Sequence, residues 1–421
     1  RTVHTGLLEY KNVYRPARVI SYDKESGELV LHNYMDFDNL KDYVKISYEL
    51  TQDGLLIGKG KLAEVSVVPH SEGKTNLQVN VPENGKCYLK LTYHLKKEMP
   101  LLEEDYILGF DEIEVSQKDA KCQLAEKWVE KTVTDSELQV SEDDTQIHIK
   151  GREFAYTIDR RTALFTEMKF AGREYLNHPM ELNIWRAPTD NDMYIKSEWK
   201  KAHYDKAYTR AYTTEVVQGK HGVKITSHAS VVAETVQKIL DVTITWKIEA
   251  AGKIDADIAV TKDDEFPDLP RFGVRMFLDK KLSAVRYFGM GPQESYCDKH
   301  QAASHGLYRA DVGDLHEDYI RPQENGSHYD CEYVELNNSR YGIVASAEKA
   351  FSFNASYYTQ EELEKKTHNY ELIESDSVVF CVDYALNGIG SNSCGPVVLD
   401  QYRFDDVLFR FQFTLIPYVK G

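Results

Sequence analysis

The segment Phe409-Arg-Phe-Gln-Phe-Thr-Leu415 alternates apolar and polar residues, which is the pattern of a β-strand that buries one face. The same period of two recurs in Leu89-Lys-Leu-Thr-Tyr-His-Leu95 and in Val242-Thr-Ile-Thr-Trp-Lys-Ile248. Strands with one buried and one wet face are typical of antiparallel sheets, whereas the strands of parallel sheets are apolar on both faces. The sequence therefore predicts an all-β fold made of antiparallel sheets.

Helical patterns are scarce by comparison. The clearest is the capping box Thr359-Gln-Glu-Glu362, which predicts the start of a short charged helix. The regular alternation of strands and amphipathic helices that a doubly wound sheet or a (β/α)8 barrel requires is missing. The high tyrosine count, 28 against 16 phenylalanines, also fits half-buried strand surfaces better than helical bundles.

The alternation lapses between about Val115 and Gln139, where a charged run begins at Gln117. We interpret residues 118–138 as a linker. The preceding residues, 1–117, have the size of an immunoglobulin-like β-sandwich. Residues 139–421 form a larger domain, for which a single oversized sandwich is the simplest arrangement because no repeat of a propeller or solenoid is visible.

Composition excludes several classes of partner. The net charge is −17, with no basic stripe, which excludes a nucleic-acid partner. No apolar run is long enough to span a membrane, and the sequence starts at Arg1 without an initiator Met or a secretory core, so we expect an excised or processed chain. The six cysteines form no CxxC pair, so we expect reduced thiols and a cytoplasmic location rather than a zinc or redox site.

Three polar clusters set among Gly and Pro in the larger domain have the composition of loops at the rim of a β scaffold. The first is Trp185-Arg-Ala-Pro-Thr-Asp-Asn-Asp192. Its acceptors either close turns through their own backbone or have a functional role. In the functional interpretation, Arg186, Asp190, Asn191 and Asp192 form a polar wall that binds hydroxyl groups, or they hold a neighbouring loop that does.

The second cluster is Tyr287–Lys299, in which Glu294 and Asp298 are candidates for paired carboxylates. Alternatively, the glutamate ties down backbone amides or pairs with a nearby cation. The third cluster, Arg321-Pro-Gln-Glu-Asn-Gly326, contains Glu324 and Asn325 and leaves the same alternatives open. None of the three clusters assigns a nucleophile.

Taken together, these motifs resemble the C-terminal part of the β-galactosidases of glycoside hydrolase family 2. Arg186-Ala-Pro-Thr-Asp-Asn-Asp192 is similar to the family's RAPxDND segment, and Gly289–Lys299 is similar to its GxGPxExYxDR segment. Gln323–Gly326 resembles its ENG turn, and Gly388–Pro396 resembles a loop near the end of its last domain. Because Glu9–Pro16 resembles the opening of its immunoglobulin-like domain, the resemblance covers essentially the whole chain.

The resemblance implies retaining hydrolysis of galactosides, in which one carboxyl group is the acid/base and a second, about 5 Å away, is the nucleophile. It places both glutamates, with Mg and Na, on a (β/α)8 barrel, so it assigns no catalytic residue, metal or other cofactor to this chain. It implies that residues 139–421 form a supersandwich related to galactose mutarotases, with one loop lining the sugar pocket. The partners it implies are the catalytic barrel, the galactoside substrate and further subunits of a homo-oligomer.

The chain departs from the family pattern at the late loop. Some members have a substrate-stacking Trp there, and the nearest match is Cys394, whose thiol lacks a broad apolar face. Two other functions remain open. One is an aldose epimerase with an acid/base pair drawn from His368, Glu294 or Glu324, and the other is a stand-alone carbohydrate-binding domain without chemistry.

Overall fold

The structure is a computed structural model that describes residues 3–129, 138–236, 238–390 and 393–420. The chain forms two compact units. The first comprises Arg1–Leu124 with Met290–Gln293 and His300–Tyr308, and the second comprises the remaining residues. The division after Leu124 falls inside the segment 118–138 that the sequence predicts as a linker, of which residues 130–137 lie outside the described residues.

The first unit is a β-sandwich. Its strands are β1 (Ala17–Tyr22), β2 (Glu28–Asn33), β3 (Val44–Gln52), β4 (Leu55–Lys61), β5 (Glu72–Asn76), β6 (Cys87–Leu95) and β7 (Ile107–Glu114). They form an antiparallel sheet of order β1-β2-β5 and a second of order β4-β3-β6-β7. Leu29 and Leu31 of β2 share one buried core with Leu89 and Leu91 of β6, so the two sheets pack face to face.

The second unit contains the remaining strands. They are β8 (Gln139–Glu142), β9 (Gln146–Lys150), β10 (Phe154–Asp159), β11 (Leu164–Phe170), β12 (Arg173–Glu174), β13 (Leu176–Asn183), β14 (Tyr208–Gln218), β15 (Gly222–Val232), β16 (Leu240–Glu249), β17 (Ile254–Lys262), β18 (Arg271–Asp279), β19 (Ala284–Gly291), β20 (Ser304–Asp311), β21 (Ser327–Asn337), β22 (Tyr341–Ser356), β23 (Ser377–Leu386) and β24 (Leu408–Val419). Strands β19 and β20 are shared between the two units: some residues of each strand belong to the first unit and the others to the second.

Two sheets build this second unit. A five-stranded sheet has the order β12-β11-β10-β9-β8, and the main path of a twelve-stranded sheet runs β13-β18-β23-β22-β24-β17-β16-β15-β14. Phe165 of β11 packs edge-on against Trp246 of β16, with ring centroids 4.9 Å apart. The Trp246 indole also donates to the carbonyl of Ala163 at 2.8 Å, which joins the two sheets through a buried polar contact.

Strand β22 changes its partner along its length. Its residues 341–346 pair with β24, whereas residues 352–356 pair with β23. Strand β21 pairs with both parts of β22. Because a strand has only two edges, β23 and β24 share one edge of β22 and diverge near residues 347–350. The large sheet therefore forks at this point.

The fold class predicted from the sequence is confirmed: the structure is mostly β, with large antiparallel sheets. The alternating segments lie in β6, β16 and β24, and their apolar residues are the buried ones. The predicted short helix is also present as α5 (Gln360–Lys365), and the Thr359 hydroxyl accepts the Glu362 amide at 3.1 Å.

Within the described residues, four other α-helices were not predicted from the sequence: α1 (Thr5–Val13), α2 (Leu40–Tyr43), α3 (Glu126–Val129) and α4 (Ile195–Lys201). Helix α1 has no side-chain cap at His4. Its sequence therefore lacks the capping residue that made α5 predictable. Helix α3 lies in the segment predicted as a linker, and its Trp128 packs on Tyr418 with ring centroids 4.0 Å apart. The short 3₁₀ helices are Asp190–Asp192, Tyr204–Lys206, Val312–Leu315, Asn369–Glu371 and Asp400–Tyr402.

Candidate functional site

The first polar cluster is organised by a buried arginine. Arg186 is 0% exposed, and its guanidinium donates to both carboxylate oxygens of Asp192, at 3.2 and 2.6 Å. Asp192 also accepts the Thr189 amide at 2.8 Å, which closes the 3₁₀ turn Asp190–Asp192. The planar guanidinium suits this bidentate pair, in which each charge compensates the burial of the other.

The same cluster holds the backbone of the late loop, which we define as residues 387–399, with 391 and 392 outside the described residues. The Arg186 guanidinium donates to the carbonyls of Asn387 and Gly388, at 2.5 and 3.1 Å. The side-chain amide of Asn191 donates to the carbonyl of Gly390 at 2.9 Å. Of the roles that the sequence leaves open for this cluster, these contacts match the holding of a neighbouring loop.

Asp298 holds the late loop through its amides. Its two carboxylate oxygens accept the backbone N–H groups of Ile389 and Gly390, at 3.0 and 2.8 Å. The Gly388 amide is satisfied separately by the carbonyl of Tyr402 at 2.8 Å. The polar groups of residues 388–390 are therefore fixed by donors and acceptors from three other segments of the second unit.

Glu294 is a buried carboxylate surrounded by donors. It accepts the Lys299 ammonium at 2.5 Å and the Gly326 amide at 2.9 Å, and it also accepts the Tyr319 hydroxyl. Burial raises the pKa of Glu294, but Lys299 and these hydrogen bonds outweigh burial and bring the pKa below its ordinary value. Glu294 therefore ties down a backbone amide and pairs with a cation, which is the structural alternative left open by the sequence.

Glu324 is also buried, but its environment differs. The Arg271 guanidinium lies 3.3 and 3.4 Å from its carboxylate oxygens and donates to Asp383 at 2.5 Å. Burial raises the pKa of Glu324 above its ordinary value in spite of this cation. The Glu324 amide donates to the carbonyl of Ala187 at 3.0 Å, which joins the third cluster to the first.

The remaining candidates lie at the margins of this network. Asn325 is buried, and its side chain accepts the Glu317 amide at 3.1 Å and donates to the Gln323 carbonyl at 2.9 Å. Asp190 is exposed and faces the Arg321 guanidinium at 3.7 Å. Cys394 is exposed on the late loop.

The sequence did not identify Arg271, Asp383 or Asn387 as members of the network. Asp383 did leave a signal, because it follows the apolar run Val378–Val382, and a charge in a buried strand needs a partner. Its partner Arg271, by contrast, lies more than a hundred residues upstream on β18, so one sequence could not pair the two. Asn387 contributes a carbonyl to Arg186, and a backbone contact carries no side-chain signature.

Two family models match the sequence of this chain. The model for β-galactosidase domain 4 matches residues 29–116, and the model for the beta galactosidase small chain matches residues 150–415. The second match covers more than half of the chain. This chain belongs to the beta galactosidase small chain family.

Two curated relatives of this chain are named β-galactosidase. The one from Actinobacillus pleuropneumoniae is 42% identical over 99% of this chain and 40% of its own length. The one from Staphylococcus xylosus is 30% identical over 99% of this chain and 41% of its own length. The chain thus spans about two fifths of the length of these relatives.

A solved structure, a galactose 1-epimerase from Lactobacillus acidophilus, aligns with 69% of the small chain and 100% of its own chain. The TM-score of this alignment is 0.38 and the sequence identity is 8%.

Proposed function

We propose that this chain is the non-catalytic C-terminal part of a retaining β-galactosidase of glycoside hydrolase family 2, an enzyme that hydrolyses terminal β-D-galactosides such as lactose. One observation carries the proposal: the relatives named β-galactosidase align with 99% of this chain but with only about two fifths of their own lengths. In this proposal the acid/base and the nucleophile belong to a (β/α)8 barrel elsewhere in the enzyme.

The chain's own contribution is the late loop. Arg186 and Asn191 hold its carbonyls, and Asp298 holds two of its amides. Residues 387–390 at the start of this loop are held by protein contacts and keep their position without help from a ligand, which lowers the entropic cost of binding. We propose that the late loop completes the sugar cleft beside the barrel, and that other surfaces of the chain support the barrel and the subunit contacts of a homo-oligomer.

The sheets of three and four strands in the first unit support an immunoglobulin-like sandwich.

Among the described residues, no group of three or more His, Cys, Asp or Glu side chains is placed to hold a metal ion. We assign Mg and Na to the barrel. No helix in the described ranges is both long and apolar enough to cross a membrane. We propose a cytoplasmic location, because the scattered cysteines suit a reducing compartment.

The contacts give the epimerase alternative little support. Glu294 is held by Lys299 and Glu324 by Arg271, so both carboxylates are committed to buried ion pairs. His368 lies on the surface, 4.0 Å from Glu371. Each of the three groups is thus engaged by a charged partner, and His368 pairs with a residue of its own turn, whereas a general acid and base must both reach the reacting atoms.

A chimeric enzyme tests the proposal. In the Actinobacillus β-galactosidase, the matching segment is replaced by this chain, and kcat/KM is measured with a chromogenic β-galactoside. We expect activity from the chimera and none from this chain alone. An Asp298→Ala chimera is the informative variant, because it removes the acceptor of two loop amides and should lose kcat/KM through the loop while the barrel is unchanged.

Two results would contradict the proposal. Turnover by the isolated chain would show that it contains its own catalytic groups. A correctly assembled chimera without activity would show that the chain does not replace the matching segment. Size-exclusion chromatography of the chimera provides the assembly control.

A further inference from the structure

The fork in the large sheet encloses a groove. Residues 347–352 of β22 lie at its apex, residues 384–386 of β23 form one wall, and residues 410–414 of β24 form the other. The volume of the groove is about 760 Å³. This is within the range of roughly 300–1,000 Å³ that is typical of small-molecule sites.

One wall of the groove carries polar side chains whose orientation is fixed by hydrogen bonds to the neighbouring strand. The Arg410 guanidinium donates to Asp257 on the neighbouring strand, at 2.6 Å through Nε and also through Nη2. The Thr414 hydroxyl donates to Asp255 at 2.7 Å. Because a guanidinium has five N–H donors and Arg410 remains exposed, donors are left over for a ligand.

Aromatic rings line other parts of the groove. Tyr329, Tyr384 and Tyr402 are half-buried lining residues. The Tyr384 ring is stacked on Phe409, with centroids 4.8 Å apart, which fixes its orientation. Aromatic faces and pre-oriented hydrogen-bonding groups together suit a ligand that has apolar C–H surfaces as well as hydroxyl groups.

The charges of the groove nearly cancel. Four Lys or Arg residues and five Asp or Glu residues line it, so the formal charges of the two signs differ by one. An anionic ligand such as a phosphate is bound by an excess of cations, and a cationic ligand by an excess of carboxylates. A groove with neither excess favours a neutral polar ligand.

We propose that this groove is a binding site for a short neutral saccharide. The ligand hydroxyls bind Arg410, Asp257 and Gln412, and the C–H faces of its rings pack on Tyr402 and Tyr384. This binding does not depend on galactoside hydrolysis. A chain that binds sugar but fails to restore the chimeric enzyme would overturn the proposed function and leave this site in place.

Calorimetric titration of the full 421-residue chain with lactose, cellobiose and sialyllactose tests the site. We expect one binding site for lactose or cellobiose and weaker binding of the anionic sialyllactose. Arg410→Ala and Tyr402→Ala should each weaken binding by about tenfold or more. Thr261→Ala is the matched control, because Thr261 is exposed on the same strand and face as Asp257 but outside the groove.

Circular dichroism checks that each variant is folded. If Tyr402→Ala does not fold, Gln412→Ala replaces it, because Gln412 is an exposed side chain on the polar wall. The proposal is overturned if neither lactose nor cellobiose binds, if sialyllactose binds more tightly than both, or if Arg410→Ala and Gln412→Ala both bind as the wild type does.

Discussion

Arg186 and Asp192 form a buried bidentate ion pair, and the same guanidinium donates to two carbonyls of the late loop. One side chain thus connects a 3₁₀ turn near the start of the second unit with a loop some two hundred residues later. Because the cation is fully buried, it cannot exchange these partners for water.

Arg186→Ala should destabilise the chain by about 3–5 kcal/mol, because it leaves the Asp192 carboxylate buried without its cation. Urea denaturation followed by circular dichroism measures the change. Arg321→Ala is the control: its contact with Asp190 is exposed and long, so we expect less than about 1 kcal/mol. Equal losses in the two variants would contradict the role assigned to Arg186.

Asp298→Ala should loosen the late loop without unfolding the second unit. It leaves the amides of Ile389 and Gly390 without their acceptor, at a cost of about 1–3 kcal/mol. Hydrogen exchange at these two amides should become faster, while exchange in β16 should not change. Asp190→Ala is the exposed control, and unchanged protection of the loop in Asp298→Ala would refute the assignment.

Glu294 makes stability depend on pH on the acid side. Because the pKa of Glu294 is lowered in the folded chain, its contribution is complete above its unfolded pKa of about 4.3 and is lost as the pH falls through the folded pKa. Glu294→Gln should therefore be less stable than the wild type at neutral pH, and the difference should narrow below about pH 4. Urea midpoints across this range measure it, and a difference that widens on acidification would contradict the sign.

Gly326→Ala should be more destabilising than Gly172→Ala. Both glycines have a positive φ, +69° and +74°. An alanine in this left-handed conformation should lower the free energy of unfolding by about 1–2 kcal/mol in both variants. Only at Gly326 would the new Cβ meet a backbone atom, the Leu315 carbonyl oxygen, at 2.4 Å. Thermal denaturation compares the two, and equal shifts in Tm would exclude the contact as a cause.

Cys394→Trp tests the late loop in the chimeric enzyme. If the loop lines the sugar cleft, an indole at this exposed position should lower KM for a galactoside by about two- to tenfold, which corresponds to the usual contribution of aromatic packing. Cys394→Ser controls for loss of the thiol. An unchanged KM in the Trp variant would place Cys394 away from the substrate.

Most of the fold could be predicted from local pattern. The alternation in β6, β16 and β24 indicates which residues are buried, because the two faces of a strand meet different environments. Helix α1 could not be predicted in this way, because it lacks a capping side chain. The grouping of residues 290–293 and 300–308 with the first unit depends on tertiary contacts and leaves no local signature.

The sequence pointed to several residues of this polar network but not to its arrangement. The residue types at Arg186, Asp192 and Glu294 mark them as polar groups in loops. Whether such groups face a ligand or hold a backbone depends on partners that are distant in the sequence. Asp298 shows this dependence, because its carboxylate meets amides about ninety residues away. The groove at the fork could not be predicted, because it arises from the pairing of β22 with two different strands.

The position of β24 between β17 and β22 has a consequence for biosynthesis. The ribosome synthesises β17 and β22, the two strands that pair with β24, before it synthesises β24 itself. Until β24 is made, β17 and part of β22 therefore have an unpaired edge, although the other strands of the unit are already present. Exposed strand edges are templates for aggregation. Nascent chains stalled before residue 408 should therefore engage chaperones, and release of β24 should end that engagement by completing the sheet.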